Sequence, residues 1–262
     1  MQNNLTEFLN NKATQYNNSK FIETDPICIP HQFTIAQDIE IAGFFAALLA
    51  WGNRTSIIKS CTKLMQLMDN APFAFVMHPS PTKYIPLQNF VHRTFNATDL
   101  LYILEFLHFH YSIQSQKSLE TAFSKWMKPN DSNTEHALNG LYNYVFNAQL
   151  FENYPTRTQK HIAAPFKKSA CKRLNMFLRW MVRKDNCGVD FGLWKNIKPQ
   201  QLICPIDVHV AKVAKRLNLL QRKQTDWMAA IELTQQLKQL DANDPVKYDF
   251  ALFGLGVAEK YY

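Results

Sequence analysis

Apolar residues recur at three- and four-residue intervals along most of this chain. No stretch alternates apolar with polar positions long enough to mark a half-buried strand. The spacing predicts helices over residues 5–17, 36–51, 54–69, 98–112, 118–128 and 135–150. The second of these is apolar almost throughout, with Ile39, Ala42, Phe45, Ala46 and Leu49 at core spacing. Pro26, Pro30 and His31 form a connector, and a proline-rich loop runs from His78 to Pro86. Lys128-Pro-Asn-Asp-Ser-Asn-Thr134 reads as a loop by composition.

The last third is better punctuated. Ser169 is placed to cap a helix running to about Lys184, with Leu174, Phe177, Leu178 and Met181 on one face. Lys172, Arg179 and Arg183 fall within about 40° of one another on the opposite side of a 3.6-residue helix. Asp207 follows Pro205-Ile206 and opens a helix whose apolar face carries Val210, Val213, Ala214 and Leu217. Thr225 or Asp226 starts the next. Asp244-Pro245 reads as a cap with proline at the first helical position, leading into 246–257. The pattern predicts an all-α fold.

Composition narrows the function classes. At 262 residues, 47% hydrophobic and 19% charged, the chain is long and apolar enough to bury a sizeable core. With 7 glycines it contains neither a G-x-G-x-x-G nor a G-x-x-x-x-G-K-[ST] string, which argues against a nucleotide cofactor. Five cysteines without a C-x-x-C pair read as reduced thiols of a cytoplasmic protein, with neither a disulfide framework nor a metal site. His108-Phe-His110 is no better a ligand pair, since i and i+2 on a helix point apart. The opening Met-Gln-Asn-Asn lacks a signal-peptide pattern, and the apolar run 41–51 is too short to span a bilayer. The expectation is a soluble protein, and the charge favours a polyanionic partner rather than a membrane: 29 Lys+Arg against 21 Asp+Glu give a net charge of +8. From Asn153 to Lys184 there are nine Lys/Arg and no Asp or Glu, a run that suits phosphate binding and equally suits a solvated helix face.

Cys204-Pro-Ile-Asp-Val-His-Val210 resembles the V-P-V-D-[VT]-H-[VM] segment of the helix-hairpin-helix (HhH-GPD) DNA glycosylases, and Ala211-Lys-Val-Ala-Lys-Arg-Leu-Asn-Leu219 resembles the helix that follows it. Ala170-Cys-Lys-Arg-Leu-Asn-Met-Phe-Leu178 is similar to the helix that leaves the hairpin and carries the catalytic lysine, with Lys172 at the matching position. Ile41 to Arg54 resembles the early helix whose end wedges into DNA, and Tyr248 to Gly256 resembles the last helix of the fold. As a whole the chain resembles a bacterial family of unknown function, through Leu49-Ala-Trp-Gly-Asn-Arg54, Ser169 to Asn175, Phe177 to Arg183 and Asp249 to Gly256. Two features depart from the glycosylase pattern. The hairpin L-P-G-[VI]-G-x-K is here Ala164-Pro-Phe-Lys-Lys-Ser-Ala-Cys-Lys172, without glycine, and the four-cysteine iron–sulfur ending is absent. The Lys172–Asp207 separation of 35 residues is nearest to that of archaeal 8-oxoguanine glycosylases.

The resemblance implies a two-lobed fold, with a helical barrel over 36–185, including a hairpin-like segment 164–184, and a second lobe of 1–35 plus 204–262. It also implies a monomer that acts on damaged double-stranded DNA by base flipping, an oxidised purine being the first lesion to test, without cofactor or metal. Lys172 would be the amine nucleophile and Asp207 the carboxylate that stabilises an oxocarbenium-like sugar. Asn53, Arg54, Lys167, Lys168, Ser169, Arg173, Arg179, Arg183 and His209 would contact DNA, and Trp51 and Trp180 would stack on bases. Each residue also has a plainer reading. Asp207 suits an ordinary N-cap, Lys172 a surface lysine, Asn53 and Arg54 a helix terminus, and Trp180 and Trp194 a core. A non-catalytic DNA-binding protein of the same fold, or a helical RNA-binding or protein-interaction module, remains open beside the enzyme.

Overall fold

A computed structural model of the protein describes residues 2–147 and 155–262. The end of the helix expected over 135–150, and Asn153 at the start of the basic run, lie outside the described residues. The chain is mostly helical, as its periodicity predicts. A short hairpin departs from the all-α expectation: Val91–His92 pairs antiparallel with Phe95–Asn96, Val91 opposite Asn96 and His92 opposite Phe95. Two-residue strands are too short to show alternation, and the turn between them depends on Arg93 at φ 56°.

The described residues fall into two compact units. The Lys172 unit takes its residues from Met1–Glu23, Lys128–His136 and Ala164–Tyr262; the Trp51 unit takes Thr24–Met127 and Ala137–Ala163. This division differs from the lobes expected from the resemblance. Residues 164–185 group with the C-terminal helices rather than with a barrel, because helix Lys172–Val182 is tied to helix Tyr248–Val257 by the buried Arg179–Asp249 ion pair.

In the Lys172 unit, helix Tyr248–Val257 is buried nearly all round, as a sequence that is apolar on every face requires. Helices Gln2–Tyr16 and Val208–Arg216 pack against it. Two glycines permit this. A Cβ on Gly254 would lie 2.1 Å from the Tyr16 ring, and one on Gly256 would lie 3.0 Å from the His209 Cβ. Around these helices Trp180, Phe177, Trp194 and Phe250 are fully buried, with the Phe177 and Trp194 rings edge-to-face at 5.3 Å.

The Trp51 unit is built on helix Ala36–Leu49, also buried on every side. Its two acids are satisfied internally. Glu40 accepts from the Tyr111 hydroxyl at 2.8 Å, the Leu119 amide at 3.0 Å and the Ser118 hydroxyl, while Asp38 accepts from the Phe73 amide at 2.8 Å. Helix Arg54–Leu67 begins at Asn53, whose side chain accepts from the Ser56 amide at 3.3 Å. Helix Ala97–His108 starts with a reciprocal Asn96–Asp99 capping box and runs into a π turn over Phe109–Ile113. The helix expected over 118–128 is confined to Glu120–Ser124.

Two expected caps are made differently. Helix Lys172–Val182 starts after Cys171, at φ 50°, and Ser169 instead accepts from the Cys171 amide at 3.2 Å. Asp244 makes no cap: Pro245–Lys247 form a 3-10 turn ahead of helix Tyr248–Val257, and the Asp244 carboxylate accepts from Arg183. Among the described residues no helix is long and apolar enough to cross a membrane.

Candidate functional site

Lys172 and Asp207 both belong to the Lys172 unit, and its folding brings them together. Lys172 is the first residue of helix Lys172–Val182. Asp207 is the N-cap of helix Val208–Arg216: its Oδ1 accepts from the His209 amide at 2.9 Å and the Val210 amide at 3.0 Å. The other oxygen, Oδ2, lies 3.9 Å from Lys172 Nζ, and each side chain is 28% exposed. Lys172 Nζ also lies 3.7 Å from Met176 Sδ, one turn along its helix. One carboxylate oxygen is therefore held by two amides at the positive end of a helix, and the other faces an amine that solvent reaches.

Beneath this pair is a buried ladder of charge. The Arg179 guanidinium donates to Asp190 at 3.2 Å and to Asp249, and stacks 4.2 Å from the Phe250 ring centroid. Arg183 donates to Asp190 at 3.0 Å and to Asp244 at 2.9 Å, and pairs with Asp185 at 2.7 Å. Two guanidinium groups thus serve four carboxylates. Burial pushes Asp249 up to about 6 despite the Arg179 charge, the nearby Lys172 ammonium working against that rise and the Asp207 carboxylate adding to it. Asp190 and Asp244 are also raised, again chiefly by burial. Cys204 is fully buried beside this ladder; burial pushes its thiol well up, which keeps it unreactive.

This geometry corrects several expectations. Arg179 and Arg183 are 2% and 3% exposed and neutralised by carboxylates, so they are structural cations and not DNA contacts. Trp180 is fully buried in the core, as is Trp194, and neither ring has a face open to a flipped base. His209 is exposed, but Tyr262 Oη lies 3.4 Å from its Nδ1. Lys212 sits 4.4 Å over the Tyr262 ring and Arg216 4.3 Å over the Tyr261 ring, so those two tyrosines cover the basic side of this helix.

The remaining candidates lie at surfaces. Lys167 and Lys168 are exposed, Ser169 and Arg173 half-buried, and burial lowers Arg173 to about 10. The loop keeps a tight turn without glycine: Pro165–Lys167 form a 3-10 turn and Lys168 adopts φ 60° itself. In the Trp51 unit, Asn53 is exposed, Trp51 and Arg54 are half-buried, and Asn53 is occupied as an N-cap. His108 and His110 are committed elsewhere, His108 Nδ1 to the Val76 carbonyl at 2.8 Å and His110 to Tyr144 at 3.1 Å and the Ser118 carbonyl at 3.0 Å.

Sequence reasoning missed Asp185, Asp190, Asp244 and Asp249. Asp249 carried a signal. A lone acid within the apolar run Tyr248–Val257 has to be buried, and a buried carboxylate requires a cation or a proton. That the cation is Arg179 is a matter of packing. No curated protein and no solved structure matches the chain. A family model described as a protein of unknown function (DUF2400) matches residues 25–258, and the chain belongs to that family.

Proposed function

We propose that this protein is a DNA glycosylase with lyase activity that removes a damaged base, an oxidised purine first among the candidates. The observation that carries the reading is the approach of Lys172 Nζ to within 3.9 Å of Asp207 Oδ2 at a solvent-reached surface. An ion pair that long and that exposed contributes at most about 1 kcal/mol, so stability gives little reason for the two groups to meet. The chemistry of base removal does.

Lys172 first gives its ammonium proton to water, and the amine so formed supplies the electron pair for a new bond to C1′ as the bond from C1′ to the base breaks. The base leaves with that electron pair and takes up a proton. The Asp207 carboxylate, held by the His209 and Val210 amides, opposes the positive charge that develops on the sugar. Loss of a proton from nitrogen, and cleavage of the C1′–O4′ bond with protonation of that oxygen, leave an iminium between lysine and C1′. Removal of a C2′ proton then expels the 3′ phosphate and cuts the strand.

Borohydride trapping tests this on duplex oligonucleotides carrying single lesions. One lesion class is expected to give a covalent adduct that Lys172→Gln abolishes. Asp207→Asn separates chemistry from capping, because asparagine caps a helix as well as aspartate does but carries no charge. It is expected to keep the fold and lose most of the rate. Absence of any adduct from folded protein overturns the reading. DNA affinity that Lys172→Gln leaves unchanged would then point to a non-catalytic DNA-binding protein.

A further inference from the structure

A cationic surface lies in the Trp51 unit and includes neither Lys172 nor Asp207. Its centre is Arg93, at the tip of the hairpin formed by Val91–His92 and Phe95–Asn96. The backbone there is left-handed, at φ 56°, and the guanidinium stacks 4.8 Å from the Trp51 ring centroid. Gly52 makes room for it. At φ 106° that residue is in a conformation that favours glycine, and a Cβ would lie 2.7 Å from Arg93 Nη1. Three separate features of the chain, a strained turn, a glycine and an indole face, therefore hold one arginine in place.

Arg93 is exposed, and among the described residues it has neither a carboxylate partner nor a hydrogen bond. The Trp51 indole N–H beneath it is buried and likewise has no partner. Beside Arg93, Arg157 donates to the Thr94 carbonyl at 2.9 Å, but its charge is met by the buried Asp99 at 3.3 Å, which leaves Arg93, among the described residues, as the unpaired guanidinium of the hairpin tip. The hairpin is joined to helix Arg54–Leu67 through a 2.9 Å hydrogen bond between His92 Nδ1 and the Ser60 hydroxyl, and that helix presents Lys59 and Lys63 to solvent.

The chain on either side of the hairpin is short of acids, and Asp99, just after it, is buried and already paired with Arg157 and His161. Between Ile41 and Thr98 the chain carries Arg54, Lys59, Lys63, Lys83 and Arg93 but a single acid, Asp69. Asp69 follows the far end of helix Arg54–Leu67, about 22 Å along the axis from Arg54, beyond the range at which exposed charges neutralise each other in salt.

We propose that Arg93, seated on Trp51, is the centre of a phosphate-contacting surface for a DNA strand, with Lys59 on the helix to which the hairpin is bonded. A guanidinium fixed on an aromatic face has lost the freedom it would otherwise lose on binding, and its fork matches two phosphate oxygens. The inference rests on the reading of the protein as DNA-acting, but its central residue, Arg93, has no part in the chemistry assigned to Lys172 and Asp207.

Titration of the full-length protein into a fluorescent undamaged duplex, repeated at several salt concentrations, tests it. Arg93→Ala is expected to weaken binding about five- to tenfold and to lower the slope of log affinity against log salt by about one. Arg93→Lys should keep the slope and lose part of the affinity, since the charge stays and the stacked fork does not. Wild-type affinity and slope in Arg93→Ala would overturn the inference, as would failure of the parent protein to bind duplex DNA at low salt. Preference for a structured RNA at equal salt would overturn the assignment of the partner. The Lys172 adduct is an independent readout: its loss with Arg93-dependent binding intact removes the glycosylase and leaves this surface, and its retention in an Arg93→Ala variant of unchanged affinity does the reverse.

Discussion

Lys172 and Arg179 lie two turns apart on one side of one helix, the first expected as the catalytic amine and the second as a contact to DNA. Their surroundings separate them. Removing one partner of a buried ion pair leaves an uncompensated charge and costs about 3–5 kcal/mol, whereas an exposed pair is worth about 0–1 kcal/mol. Arg179→Ala is therefore expected to lose about 3–5 kcal/mol of unfolding free energy in urea and Lys172→Gln less than about 1 kcal/mol. Equal losses would make Lys172 a structural residue. Asp249 sets a pH dependence whose sign follows from its raised value of about 6. The folded state holds this proton more tightly than the unfolded state, so the contribution is complete below the unfolded value near pH 4 and is lost as pH rises through 6. Relative to Asp249→Asn, wild-type stability should fall by up to about 3 kcal/mol between pH 4 and pH 7. His110, lowered to about 4 by burial, gives the opposite slope over that range, and comparison with the variant cancels it.

At the scale of elements, helix Tyr248–Val257 decides where the site forms. Its two glycines accept neighbours at different distances: the Tyr16 ring would be 2.1 Å from a Cβ at 254, and the His209 Cβ would be 3.0 Å from one at 256. Gly254→Ala is expected to destabilise by about 1–3 kcal/mol, because an aromatic ring has to be displaced. Gly256→Ala needs a shift of only a few tenths of an ångström and should cost less. That shift falls on the first turn of the helix that Asp207 caps, so Gly256→Ala should slow adduct formation more than it lowers the melting temperature. The reverse order, with Gly254→Ala the milder in stability, would mean that helix Gln2–Tyr16 packs more loosely than its contacts indicate. The helix starts at Asp207 and Asp226 were legible because a side-chain oxygen capping its own next turn is a local event. The start at Lys172 was not, since Cys171 and Lys168 take left-handed backbones that no residue type there announces.

For the whole molecule, a net charge of +8 suggested a polyanionic partner, but the total hides its distribution. The acid-free run ending at Lys184 drew attention because it is contiguous, yet two of its arginines are consumed by Asp185, Asp190, Asp244 and Asp249, which lie outside it in sequence. The acid-poor stretch 41–98 went unremarked because its five cations are spread over many more residues. The chain also passes between its two units at positions 23–24, 127–128, 136–137 and 163–164. A boundary drawn from sequence order alone divides the molecule in two pieces, whereas each unit is assembled from separated segments. The first 23 residues illustrate this: Tyr16 meets Gly254, and Lys12 pairs with Glu259 at 2.7 Å.

The sequence by itself determined the helical class, the places where most helices begin, and the two apolar helices around which the units are built. These follow from periodicity and capping, which act over a few residues. It also singled out Lys172 and Asp207 by resemblance. Only the tertiary structure decided which of the cations near Lys172 remain in water and which are buried against carboxylates up to 70 positions away. Likewise it alone brought Arg93 onto Trp51. Burial and pairing depend on what other segments supply, and a charge shows no sign in its own neighbourhood of the partner that will neutralise it.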